Sequence, residues 1–168
     1  MATVTHPLTL EEFRSRYGQQ KPCFEYWFGE AIQKTMPTWL HAVLQGIMRE
    51  ALRRAGYKSG SEVELRIDPQ WEPVPDVIAT LQSINDYPTE PVEIVVEILS
   101  PEDKLMYIIK KCHHYERIGT ERVFVLDPVE KLAWQWNSGS LEAVTQLLLP
   151  NGAAVALDEV WRQLDEQA

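Results

Sequence analysis

Apolar and polar positions along the 168 residues repeat with two periods, and the period assigns each segment. Leu40, Val43, Leu44, Ile47, Met48, Ala51 and Leu52 recur at spacings of three and four, which predicts a long helix opened by Pro37 and Thr38 and stopped near Gly56. A shorter helix is expected over residues 9–17, where Thr9 and Glu12 have capping-box spacing. A third runs from about residue 102 to 118, ends at Gly119 and carries an apolar stripe of Leu105, Ile108, Ile109 and Cys112. A fourth covers 157–164, with Asp158 as its cap.

Alternation with a period of two marks the strands. It predicts them over residues 24–32, 62–67, 74–81, 92–99, 122–126 and 132–136, with another near 144–149. Segment 92–99 is apolar enough to be central, and 132–136 pairs back on 122–126 across the Asp127-Pro128 turn. Helices interleaved with strands in this order make an α/β fold with a mixed β-sheet flanked by helices.

Composition narrows the class. Hydrophobic residues at 45% and charged residues at 24% are ordinary for a globular protein, and a chain of this length buries a core without disulfides. A single domain over 1–168 is expected, and disorder as the dominant state is excluded. No apolar run approaches a membrane span, and residues 1–7 are polar with no charged-then-apolar leader. Cys23 and Cys112 suit a reducing compartment, so a cytoplasmic location is expected. The net charge of −9 argues against a protein that coats nucleic acid by bulk electrostatics. It leaves room for an enzyme that meets nucleic acid through a local patch and metal ions. Arg49, Arg53, Arg54 and Lys58 form one such basic group, although cations at a helix C-terminus are also what the helix dipole favours.

Two acidic residues stand out. In segment 92–99, Val92, Ile94, Val96 and Ile98 share one face, and Glu93, Val95, Glu97 and Leu99 share the other. Glu97 therefore lies mid-strand among apolar neighbours, where an ionised carboxylate needs a partner or a metal. The preceding strand carries Pro75-Asp76. Asp76 and Glu97 could share one divalent cation; alternatively Asp76 caps a turn and Glu97 pairs with a buried base. Lys111 and Lys104 fall on the flank of the third helix's stripe, with Tyr115 one turn beyond Lys111. Lys111 could fold back over the sheet towards Glu97 or simply be solvated. His41 could be a base, a phosphate contact or a supporting partner, or a half-buried histidine. Glu25, on the same face as Trp27, could add a third carboxylate or be a surface residue. His113 and His114 point in different directions, and Ser100 has no evident histidine relay. No Ser-His-Asp or Cys-His pattern, P-loop or GxGxxG is present.

Pro75-Asp76, Glu97-Ile98-Leu99-Ser100-Pro101, Lys111 and Tyr115 together resemble the PD-(D/E)xK nuclease superfamily, and more closely its large bacterial branch of restriction-endonuclease-like proteins. Phe24-Glu25 with Gly29-Glu30, His41 opening the long helix, and the segment from Arg122 to Pro128 are similar to the same branch, so the resemblance spans nearly the whole chain. It implies a restriction-endonuclease-like core in which Asp76 and Glu97 bind Mg²⁺ or Mn²⁺. In the parent superfamily a lysine two residues after the glutamate helps position the attacking water; here Leu99 holds that place, and the resemblance implies that Lys111 takes over. Glu25, His41 and Tyr115 fall near the same pocket as supporting residues. Relatives often carry an acid four residues before this lysine, where the chain has Tyr107. The implied activity is hydrolysis of phosphodiester bonds in DNA, and a homodimer is expected because cutting both strands is simpler with two sites. The competing expectations are an inactive nuclease fold kept as a nucleic-acid or protein-binding module, and a hydrolase of another phosphoester.

Overall fold

A two-residue turn sets the first feature of the fold. Phe28 and Gly29 both have positive φ, 47° and 90°, which is the backbone of a tight hairpin loop. A Cβ on Gly29 would lie 2.6 Å from the Pro7 Cβ, so close approach of the chain also demands glycine here. The single strand expected over 24–32 is thus a hairpin of β1 (Phe24–Trp27) and β2 (Glu30–Gln33).

The computed structural model describes residues 6–168. Helix α1 (Leu10–Tyr17) begins at the Thr9–Glu12 capping box, as expected. After the hairpin come α2 (Trp39–Arg54), β3 (Lys58–Ser61), β4 (Trp71–Glu72), β5 (Val77–Thr80) and β6 (Ile94–Ile98). Then follow α3 (Leu105–Arg117), β7 (Arg122–Asp127), β8 (Leu132–Asn137), β9 (Ser140–Ala143), β10 (Gln146–Leu148), β11 (Ala154–Ala156) and α4 (Leu157–Gln167).

The main sheet has six strands in the order β3-β5-β6-β7-β8-β9. Only β6 and β7 are parallel, joined through α3, so the sheet is mixed, as expected. A three-stranded sheet, β2-β1-β4, and the pair β10-β11 stand apart from it. Alternation divides the main sheet into two buried faces. Val77, Ala79, Ile94, Val96, Ile98, Phe124 and Leu126 pack under α2 and α4. Ile78, Val95, Val123 and Val125 pack under α3 and the small sheet, against Ile108, Cys112, Tyr115, Trp27 and Trp71. Central strand β6 is buried at every position, which is why its sequence reads as an almost unbroken apolar run.

Several expectations change. Residues 62–67 are not a strand: the ladder of β3 with β5 ends at Ser61, and Glu62 takes a positive φ of 55° that turns the chain out of it. Strand β5 starts only at Val77, because Pro73 and Pro75 offer no N–H to a ladder. The stripe of α3 is rotated. Its buried residues are Ile108, Lys111, Cys112 and Tyr115, while Leu105 is 65% exposed. Asp158 is not the cap of α4; Ala156 holds that position, and Asp158 lies in the first turn, where the dipole favours acid.

Phe124 is fully buried at the centre of the first core. Phe124→Ala is expected to lower the unfolding free energy by about 3–5 kcal/mol in urea denaturation. A loss under about 1 kcal/mol would contradict this packing.

Candidate active site

The register of β5 and β6 brings the two acids together. Val77 pairs with Val96, Ile78 with Val95 and Ala79 with Ile94. One step further along the antiparallel ladder sets Asp76 opposite Glu97, on the face of Ile78 and Val95 that looks towards α3. Both side chains are buried. Asp76 Oδ2 accepts from the Ile98 N–H at 2.7 Å. Its Oδ1 accepts from Lys34 Nζ at 2.9 Å and lies 3.3 Å from His41 Nε2. Glu97 Oε1 accepts from the Tyr115 hydroxyl at 2.5 Å and pairs with Lys111 Nζ at 2.8 Å.

Glu25 from β1 completes a third corner. Lys111 Nζ donates to its Oε1 at 2.9 Å, the Val74 N–H donates to the same oxygen at 2.8 Å, and Trp27 Nε1 donates to Oε2 at 3.2 Å. Lys111 is thus neither solvated nor merely leaning over the sheet. It is buried between two carboxylates, one from each sheet. Glu25, His41, Asp76, Glu97, Lys111 and Tyr115, which the resemblance assigns to one pocket, are all buried here: His41 bonds with Asp76, and Glu25, Glu97 and Tyr115 gather around Lys111.

The electrostatics follow from burial working against pairing. Burial pushes the Glu97 carboxyl up and Lys111 pulls it down; the balance leaves it at about 7. Burial raises Asp76 too, but Lys34 and His41 outweigh it and hold the carboxyl well below the usual range. Burial lowers Lys111, and Glu25 and Glu97 more than reverse that, so its ammonium stays charged. Tyr115 is pushed well above the usual phenol range by burial and by Glu97, so it remains a donor.

Two residues at the site escaped the sequence reading. Lys34, just after β2, is bound to Asp76, and Glu62 at the cleft mouth accepts from Lys34 Nζ at 3.1 Å. Neither gave a sign in the sequence: Lys34 lies past the end of β2, and Met36, the next alternate position, is exposed. Ser100 also differs from expectation, since His41 Nδ1 lies 3.1 Å from its Oγ and so links it to Asp76. Asp103 Oδ2 accepts from the Ser100 N–H at 2.6 Å and pins the loop after β6. Leu99 packs into the second core and offers no charge. Tyr107 stands at the cleft wall with its ring edge-on to Trp27. Arg53 and Arg54 are engaged by Glu50 of their own helix at 2.8 and 2.9 Å, away from the site.

The network lines a cleft of about 1000 Å³. Eight carboxylates line it (Glu25, Glu62, Glu64, Asp76, Asp86, Glu97, Glu102 and Asp103) against four lysines (Lys21, Lys34, Lys104 and Lys111). At its floor Glu25, Asp76 and Glu97, with Glu62 above, face only two ammonium groups, and burial, with Asp76 nearby, keeps the Glu97 carboxyl raised despite Lys111. Glu97 Oε2 receives no hydrogen bond among the described residues. An oxygen-rich, net-negative, buried donor set of this kind fits a hard divalent cation. His41, Glu62 and Asp76 also each present a donor atom within 4.8 Å of the others.

A family model described as "Uma2: Putative restriction endonuclease" matches residues 10–164. A solved structure described as a putative nuclease belonging to DUF820 from Anabaena variabilis ATCC 29413 superposes with a TM-score of 0.77 at 20% identity, covering 94% of this chain and 99% of that one. At that identity the likeness speaks for the fold. No curated protein matches the chain. Among the described residues, no helix is long and apolar enough to cross a membrane.

Removing Lys111 leaves two buried carboxylates short of a partner. Lys111→Met is expected to cost about 3–5 kcal/mol of stability, and adding Glu25→Gln to recover part of it, as a double-mutant cycle in urea would show. Strict additivity would contradict the pairing. A second expectation concerns pH without divalent ions. The folded Glu97 carboxyl titrates at about 7 against an ordinary 4.5, so its folded form holds the proton more tightly. Its contribution to stability is complete below the ordinary value and is lost as pH rises through about 7. Wild type should therefore lose stability over that window relative to Glu97→Gln; parallel pH profiles for the two would contradict it.

Proposed function

The chain belongs to the Uma2 family of restriction-endonuclease-like proteins, and from that premise we propose that it is a metal-dependent endonuclease hydrolysing phosphodiester bonds in DNA. The observation that carries this reading is the facing pair Asp76 and Glu97, buried in an acid-rich cleft with a lysine bound to each carboxylate. The reading takes residues 1–168 as one restriction-endonuclease-like domain, working as a cytoplasmic homodimer because cutting both strands is simplest with two symmetric sites.

Asp76 and Glu97 would hold Mg²⁺ or Mn²⁺. Bound there, the ion would supply Lewis-acid polarisation of a phosphoryl oxygen and a lowered pKa for a nearby water. The chain's own groups do the remaining work. Lys111 brings a fixed positive charge to the floor of the cleft, where negative charge develops as the phosphodiester is attacked. Glu25 and Tyr115 hold Lys111 and Glu97 in place through bonds of 2.9 and 2.5 Å. The Ile98 N–H and His41 orient Asp76, and Ser100 in turn steadies His41. The acidic lining repels bare phosphate, so substrate binding itself would depend on the cation.

One observation favours a second reading. Asp76 already receives Lys34, His41 and the Ile98 N–H, and Leu99 stands where the parent superfamily has lysine. A nuclease fold retained as a nucleic-acid or protein-binding module would tolerate both.

Calorimetric titration of Mg²⁺ and Mn²⁺ into wild type, Asp76→Ala and Glu97→Ala, with plasmid cleavage on the same samples, separates the readings. Binding and cutting in wild type should both vanish in the two variants, while Lys111→Ala should retain binding and lose about 10²–10³ in rate. Metal-independent DNA binding by all of them, without cleavage, would favour the module.

A further inference from the structure

The three N–H groups of the Lys34 ammonium each have an acceptor. They reach the Val74 carbonyl at 2.7 Å, Asp76 Oδ1 at 2.9 Å and Glu62 Oε2 at 3.1 Å. The side chain is largely buried, and the carboxylates around it more than offset the cost of that burial, so the charge is retained. Two of its acceptors belong to the cluster of His41, Glu62 and Asp76, whose donor atoms lie within 4.8 Å of one another. That spacing suits a metal ion, and an ammonium already bridges two of the three residues. A lysine at bonding distance and a divalent cation on the same oxygens would repel each other, most strongly at the buried Asp76 oxygen.

The other end of the floor is different. Glu97 bonds through Oε1 alone, and Asp76 Oδ2 carries a single backbone donor. Resting on the metal-dependent reading above, we propose that Lys34 is a built-in counter-ion that closes the His41–Glu62–Asp76 cluster to divalent cations, so that the chain takes one such ion, between Asp76 and Glu97, and not two. Lys34 is then a positioning residue. It fixes Asp76 Oδ1, leaves Oδ2 with the Ile98 N–H as its one donor, and supplies through a tethered side chain the charge that a second ion would otherwise bring. The segment between β2 and α2 that carries it is held at both ends: the Lys34 N–H donates to the Cys23 carbonyl at 2.9 Å, and the Thr38 side chain caps α2.

Metal stoichiometry tests this without reference to turnover. Mn²⁺ is titrated into wild type, Glu62→Gln, Lys34→Met and the Lys34→Met/Glu62→Gln double variant, and bound ion is counted by electron paramagnetic resonance. Wild type should bind one Mn²⁺ per chain, and Glu62→Gln should leave that affinity unchanged. Lys34→Met should gain a second ion, which Glu62→Gln then removes. Two ions in wild type, a loss of about tenfold or more in wild-type affinity on Glu62→Gln, or a folded Lys34→Met with unaltered stoichiometry would each overturn the proposal. Glu62 is 43% exposed, so the Glu62→Gln arm stands even where Lys34→Met does not fold. If wild type binds no Mn²⁺, the metal reading itself fails. The one-ion stoichiometry falls with it, while the closing of the cluster by Lys34 is upheld by a Glu62-dependent site appearing in Lys34→Met and overturned by its absence.

Discussion

Three carboxylates in an apolar interior constrain everything around them. Glu25, Asp76 and Glu97 are each buried, and a buried carboxylate stays charged only where cations and N–H donors replace the water it has lost. The chain supplies these from six separate places: Trp27 on β1, Lys34 after the hairpin, His41 in the first turn of α2, the Val74 backbone before β5, the Ile98 backbone on β6, and Lys111 with Tyr115 on α3. The two sheets, α2 and α3 are thereby tied at a single point. The apolar cores on either side of the main sheet set the distances, and the charge network holds the chemistry at their edge.

Compensation within that network is uneven. Lys34 and His41 outweigh burial at Asp76 and keep it ionised, whereas at Glu97 burial outweighs Lys111 and pushes the carboxyl up to about 7. Under the proposed function, such a split suits a site that takes one more positive charge. It also reconciles the net charge of −9 with a nuclease-type fold. A cleft in which carboxylates outnumber lysines draws in no polyanion by itself, so under the proposed function a bound cation would mediate the contact.

Much of this was legible in the sequence wherever a local rule operates. Strand β6, the capping box of α1 and the stripe of α2 follow from periodicity, and the isolated Glu97 among apolar residues drew attention to the site. What stayed hidden depended on distant partners. Residues 24–32 alternate like one strand, and only the positive φ at Phe28 and Gly29 folds them into a hairpin. The stripe of α3 was misplaced because Lys111 and Tyr115 are polar by type yet buried, drawn inward by Glu25 and Glu97. Lys34, Glu62 and the link from His41 to Ser100 arise from loops that meet only in three dimensions.

The central claim is that the unmet negative charge between Asp76 and Glu97 is a divalent-cation site. Anomalous scattering from crystals soaked in Mn²⁺ tests it most directly. The account expects one strong peak within bonding distance of both carboxylates, with Lys34 still bound to Glu62. A cleft without any peak, or a peak on His41 and Glu62 with Lys34 displaced, would contradict it.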